Sequence, residues 1–294
     1  MMTKQLEYFD RQTQQIQQEQ IYGGAFLRLL YEKSIGKYLL PILAKPAWFS
    51  KLYGLVQKSG FTKRKVAPFI RKYGVDATEF SRQDFKSFNE FFTRTLKKGA
   101  RPIADAALVM PADGRYLVIP DLSTCDGIWV KGKWFDLAKL LGSEALAEKY
   151  QDGALVIARL CPVDYHRFHF PCDCVASQSR LINGYLYSVS PLALVHNIDI
   201  FSENKRYITE LQTQNLGTIQ YIEVGATNVG SVVQTASAAP HAKGEEKGYF
   251  EFGGSCVMLL IEKGRVQFAD DLLKYSAQKI EVRALMGQPL ASIS

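Results

Sequence analysis

The sequence predicts an α+β protein, with a β-rich core over residues 105–294 behind an N-terminal set of short amphipathic helices within residues 1–104. Three observations carry this. Residues 24–72 place apolar side chains at helical spacing, as Phe26, Leu27, Leu30 and Tyr31 do, and are cut by Pro41, Pro46, Gly54, Gly60 and Pro68. After residue 104 the texture changes to short β-branched runs, such as ALVIARL, IQYIEVGA and CVMLLIE, separated by Gly, Pro, Asn and Asp. The charge also divides the chain: residues 21–75 hold eleven Lys/Arg against one acid, Glu32, whereas the formal charge of the whole is only +7. A basic block of this kind needs either an anionic partner or solvent.

In chain order, residues 1–20 read as a polar, Gln-rich lead-in without the apolar centre of a signal peptide. Nowhere do about 18 apolar residues run together, so no transmembrane helix is expected. Between 21 and 75, aromatics and leucines (Trp48, Phe49, Leu52, Tyr53) interleave with lysines and lead into the cluster Lys63, Arg64, Lys65. Short helices of this composition either lie in a membrane interface or pack an apolar face on the core with their lysines solvated. Residues 84–103 form an aromatic segment closed by a Gly/Pro linker. The hydrophobic share of 47% is ample for a core. Five cysteines, an odd number without a regular framework, argue against a disulfide-stapled secreted protein and for a reducing compartment.

Three segments carry chemistry. Pro111-Ala112-Asp113-Gly114 sets an acid in a turn, and Asp-Gly is also a common turn pair without further role. DYHRFHFPCDC holds His166 and His169, two of the four histidines. As a zinc site, His166, His169, Cys172 and Cys174 have an unfamiliar spacing, and residues three apart on a strand point to opposite faces, so no metal is expected. KGEEKGYFEFGGSC leads through two glycines to Ser255. Asp113, one of the histidines and Ser255 could form a Ser-His-Asp constellation. However, a hydrolase serine sits at a G-x-S-x-G elbow entering a helix, and here the serine enters an apolar strand. The side-chain-free Gly254 leaves its carbonyl open to the adjacent Ser255 hydroxyl, an arrangement suited to attack on the chain itself.

Taken together, FNEFFTRTLKKGARPI (88–103), PADG (111–114), YHRFHFP (165–171), VGATNVGS (224–231), KGEE (243–246) followed by GGS, and GQPLA (287–291) resemble the phosphatidylserine decarboxylase family, in family order over most of the chain. The chain departs from the family at Cys256, usually Thr or Ser, and at Lys247, often Met. The resemblance implies self-cleavage between Gly254 and Ser255 into large (1–254) and small (255–294) chains that stay associated. Ser255 would become a covalent pyruvoyl cofactor, with His169, oriented by Asp113, as base and His166 as proton donor. It implies decarboxylation of phosphatidylserine to phosphatidylethanolamine through a Schiff base with that group. The partner is then phosphatidylserine in an anionic membrane, not nucleic acid. Localisation would be peripheral, on the cytoplasmic face of a bacterial cell membrane, and a homo-oligomer is compatible with the sequence. Two other classes compete: a lipid-acting serine hydrolase using Ser255, His169 and Asp113, and a non-enzymatic adaptor binding anionic lipid through residues 21–75.

Overall fold

A computed structural model of the chain describes residues 6–21, 24, 28, 29, 31, 54–125, 127, 128, 135–226, 232–253 and 255–294. Gly254, residues 227–231, and Trp48, Phe49, Leu52 and Tyr53 of the basic segment lie outside the described residues. In chain order the strands are β1 (Glu7–Asp10), β2 (Gln15–Gln18), β3 (Leu108–Val109), β4 (Gly114–Ile119), β5 (Ala154–Leu160), β6 (Arg167–His169), β7 (Cys174–Ala176), β8 (Arg180–Ile182), β9 (Arg206–Gln212), β10 (Thr218–Gly225), β11 (Val232–Gln234), β12 (Pro240–His241), β13 (Glu246–Phe250), β14 (Ser255–Ile261), β15 (Val266–Phe268), β16 (Glu281–Ala284) and β17 (Pro289–Ile293). The helices are α1 (Val66–Tyr73), α2 (Phe88–Phe92), α3 (Leu137–Leu141), α4 (Glu144–Tyr150), α5 (Pro191–His196), α6 (Ile200–Glu203) and α7 (Asp270–Ala277). The architecture is α+β with a β-rich core, as the sequence predicts.

Among the described residues, eleven strands form one sheet in the order β12-β7-β9-β10-β14-β5-β4-β16-β1-β2, with β8 beside β9. Two three-stranded sheets, β11-β13-β6 and β15-β17-β3, accompany it. The central strands β14, β5 and β4 are buried at every residue, which explains their unbroken apolar runs: both faces of the sheet are covered. Val257, Leu259 and Ile261 join Phe168 and Phe250 of the small sheet in one core, while Cys256, Met258 and Leu260 join α3 and α5 residues in another. Gly114 is dictated by this packing, because a Cβ there would lie 2.7 Å from the Arg159 carbonyl oxygen.

A third core is aromatic: Phe69, Phe80, Phe85, Phe88, Phe91, Phe92 and Phe252. Its helix α2 starts at Ser87, whose hydroxyl accepts from Glu90 N, and Glu90 reaches back to Lys86 N, so S-x-x-E works as an N-terminal cap. Asn89 Oδ1 then accepts from Phe252 N at 2.9 Å, fixing the approach to Ser255.

Residues 7–18 overturn the reading of 1–20 as a lead-in. They form the hairpin β1–β2, and β1 joins the main sheet in parallel with β16. Tyr8 and Phe9 are buried, and Phe9 stacks on Tyr275 with ring centroids 4.2 Å apart. Three of the glutamines that obscured this pattern, Gln15, Gln17 and Gln18, belong to β2, the exposed edge strand.

The hairpin also delivers Glu19 to a buried charge cluster. Arg115 and Arg159 stand directly opposite each other on β4 and β5. Arg159 donates to Glu281 at 2.6 Å and to Glu19 at 2.9 Å. Arg115 lies over the Tyr8 ring at 4.1 Å and pairs with Asp164 at 3.4 Å. Burial pushes the Glu19 carboxyl up, but Arg159 and Arg115 outweigh it and hold Glu19 below the usual carboxylate range. Glu19→Ala should therefore lower unfolding stability in urea by about 3 kcal/mol, the low end for breaking a buried ion pair, because Glu281 still holds Arg159. A loss below about 0.5 kcal/mol, the size of a surface substitution, would show that the hairpin adds nothing to the cluster.

Candidate active site

Ser255 is the first residue of β14, between β10 and β5, with Gly225 and Leu160 as its cross-strand partners. Side chains alternate along a strand, so Ser255 shares the face of Val257 and Leu259, toward the small sheet. Across from it Gly225 offers no side chain. Ser255 is 0% exposed, and its Oγ has no hydrogen-bond partner among the described residues. Gly253 before it has φ 147°, a backbone angle open to glycine. A buried hydroxyl left unpaired costs about 1–3 kcal/mol, so one at the head of a central strand points to chemistry.

His166 and His169 are both buried. The Nδ1 of His166 faces the Asp164 carbonyl oxygen at 2.9 Å, and the Nδ1 of His169 faces that of Gly244 at 3.0 Å. A carbonyl only accepts, so each ring carries its proton on Nδ1 and presents a lone pair at Nε2. Both Nε2 atoms are buried without partners among the described residues. Burial drives the His166 pKa down to about 3 and outweighs the opposing Asp164 charge. His169 is lowered too, by burial first, with the Gly244 carbonyl, Glu246 and Asp113 opposing. Both rings are therefore neutral at pH 7.

Asp113 does not contact His169 in the way expected of an orienting acid. Its carboxylate accepts from Arg101 Nε at 2.9 Å and Nη2 at 2.7 Å, and from Met286 N at 2.8 Å, while Arg101 also holds Glu79. The His169 orienter is the Gly244 carbonyl, and Asp113 acts on the ring through its field. The two segments are nevertheless joined, since His169 N donates to Pro111 O at 2.8 Å. His166 is tied instead to the approach to Ser255: Phe250 N donates to His166 O at 2.9 Å. Phe92 also packs on the His166 ring at 3.8 Å and on Phe252 at 5.0 Å.

Arg101, Asp164, Asn89 and Gly244 escaped sequence reasoning, because each acts through a contact distant in the chain or through its backbone. Arg101 and Asn89 did lie inside recognisable motif segments. Among the described residues, no group of three or more His, Cys, Asp and Glu is placed to hold a metal ion. Cys172 and Cys174 are free, buried thiols.

Fold and site define a class of protein whose serine is shut in the core at the head of a central strand, with two buried histidines on a neighbouring segment. Because β14 continues for seven residues from Ser255, there is no strand-to-helix elbow, and the serine-hydrolase alternative falls away. The phosphatidylserine decarboxylase family model matches residues 88–292. A phosphatidylserine decarboxylase proenzyme of Chlamydia caviae is 48% identical over 292 residues, covering 98% of each chain. Proenzymes of the same name from Chlamydia pneumoniae and Chlamydia trachomatis are 47% and 43% identical, covering 97% and 99% of this chain and 96% and 98% of their own. The chain belongs to the phosphatidylserine decarboxylase family.

The depressed His166 pKa has a consequence for stability. The folded pKa lies below the unfolded value of about 6.5, so the unfolded chain takes up a proton first as pH falls. This contribution to stability is whole above pH about 6.5 and is lost toward pH 3, at up to about 1.4 kcal/mol per pH unit. Urea unfolding between pH 7 and pH 4 should show a shallower decline in His166→Gln than in the parent. Parallel declines would mean that His166 titrates normally.

Proposed function

We propose that this chain is a proenzyme that cuts itself between Gly254 and Ser255 and then decarboxylates phosphatidylserine to phosphatidylethanolamine. The observation that carries the reading is the buried Oγ of Ser255, without a partner among the described residues and directly after two glycines. His169 Nε2 takes the hydroxyl proton. Oγ bonds to the Gly254 carbonyl carbon, and the bond from that carbon to the Ser255 nitrogen breaks as the nitrogen takes the proton from His169, turning the peptide into an ester with a free amine. Elimination across Cα–Cβ of residue 255 releases the Gly254 carboxylate. Water then displaces ammonia and leaves a ketone at residue 255. Neutral His169 suits the first step, because a protonated imidazole could not accept the hydroxyl proton.

The pyruvoyl group so formed supplies an electron sink for loss of CO2 from the bound amino acid headgroup. The surroundings fit it: Gly225 leaves the face beside residue 255 without a side chain, and residue 255 is buried. His166 is the second proton carrier. Its resting form has no proton at Nε2, so that atom must be loaded before it can give one. The large and small chains stay together, because β14 is held between β10 and β5 over its whole length.

Attachment to an anionic bilayer is peripheral in this reading, on the cytoplasmic face. No helix among the described residues is long and apolar enough to cross a membrane. Around the basic cluster, Leu55 (65%) and Phe61 (72%) are exposed, and the Arg64 guanidinium lies 3.9 Å over the Phe61 ring. Apolar side chains rimmed by cations suit a headgroup interface. At Tyr31, by contrast, the segment packs on the core and accepts from Ser188 N.

Two outcomes follow. Ser255→Ala should remain one chain of 33.1 kDa without decarboxylase activity, while the parent yields a 40-residue fragment, 255–294, with a blocked amino end by intact mass. His169→Ala should slow this cleavage more than Asp113→Ala does, and His166→Ala should cut yet fail to turn over. Efficient cutting of Ser255→Ala would end the proposal. In liposome flotation, changing Lys63, Arg64 and Lys65 together to Gln should weaken binding to phosphatidylglycerol vesicles. Parent binding should fall without vanishing as salt shortens the screening length from about 8 Å to about 3 Å. Equal flotation of both proteins at every salt concentration would make the cluster a merely solvated face.

A further inference from the structure

Lys247 is a buried charge that neither the mechanism nor the apolar core accounts for. It sits in β13 where the register against β6 slips between Glu246 and Gly248, and its side chain crosses from the small sheet to the main one. It is 1% exposed, and its Nζ meets the fully buried Glu223 of β10 at 2.5 Å and donates to Gln234 of β11 at 2.9 Å. The same ammonium lies 5.1 Å from the ring centre of Tyr221 and 5.8 Å from that of Phe168.

These contacts lead to both halves of the site. Glu223 is two residues from Gly225, the partner of Ser255, so it faces the same side of the sheet as that serine. Tyr221, two residues further back, donates its hydroxyl to the His169 carbonyl at 3.3 Å. Glu246, beside Lys247, is the cross-strand partner of His169. The side chain therefore joins the sheet that carries His169 to the strand that flanks Ser255. A buried ion pair adds little net stability against an apolar pair of like volume, yet losing one partner strands the other in the core. Such a contact tolerates matched partners and penalises mismatched ones.

We infer that Lys247 and Glu223 are positioning residues, a matched contact between the two sheets that seats the His169 strand relative to Ser255 and so sets the rate of self-cleavage. This rests on the reading of Ser255 given above. The test uses the full chain made by cell-free synthesis as parent, Lys247→Met, Glu223→Leu and the double variant. Cleavage is timed on denaturing gels and located by intact mass, at a temperature where circular dichroism shows each protein folded. Each single variant should cut slower by roughly tenfold or more, the scale of a small misplacement of reacting groups. The double variant, matched again without charge, should return to within a few-fold of the parent. Folded single variants that cut at the parental rate would overturn the inference and leave the Ser255 reading standing, even if their melting temperatures fell. A double variant as slow as the singles would overturn it too. A parent chain that is never cut at 254/255 would remove the Ser255 reading and this inference together.

Discussion

Two arginines buried face to face on adjacent central strands set the terms for much of this molecule. Arg115 and Arg159 are direct cross-strand partners, and like charges in that relation repel unless they are answered. The answers come from three directions. Glu281 arrives on β16, Glu19 on the N-terminal hairpin, and Asp164 from the turn after β5. The hairpin adds the last two strands of the sheet, and Asp164, once placed, offers its carbonyl to His166. A charge requirement in the sheet thus reaches the imidazole of the site through one residue.

The site is where the fold departs from ordinary satisfaction of polar groups. Ser255 Oγ, His166 Nε2 and His169 Nε2 are buried without partners among the described residues, whereas the Asp113 carboxylate is closely bonded. Leaving such atoms bare costs free energy that the surrounding structure must offset. The offset is visible in how firmly their neighbours are held. Arg101 grips Asp113, Asn89 anchors the backbone at Phe252, and the aromatic core carries Phe92 against the His166 ring. Burial lowers both imidazole pKa values, so the desolvation that disfavours their charged forms leaves their Nε2 lone pairs without a proton.

The Asp113–His169 relation shows how a candidate residue can be given the wrong contact. An acid, a histidine and a serine in one sequence suggest a linear hydrogen-bonded relay. Asp113 is already committed to a guanidinium and a backbone amide, and a main-chain carbonyl, invisible to any motif, sets the His169 tautomer. Lys247 is a parallel case. Sequence marks it as unusual, but only its reach across a bulged strand to Glu223 gives it work to do.

The sequence by itself determined the fold class, with its β-rich core, and the family, and it singled out Ser255, His166, His169 and Asp113 as candidates. These were legible because they are local: runs of apolar residues long enough to be buried strands, a glycine pair before a serine, and histidines three apart beside a proline. Tertiary structure decided the rest. The Gln-rich start looked like solvated chain because its apolar Tyr8 and Phe9 are few, and they become a strand only when β16 and Tyr275 are there to receive them. Partner choice among buried charges was equally hidden, since Arg159 finds Glu19 and Glu281 at 140 and 122 residues' separation. Short-range pattern specifies which strands can be buried; which charges meet inside depends on the order in which those strands are laid side by side.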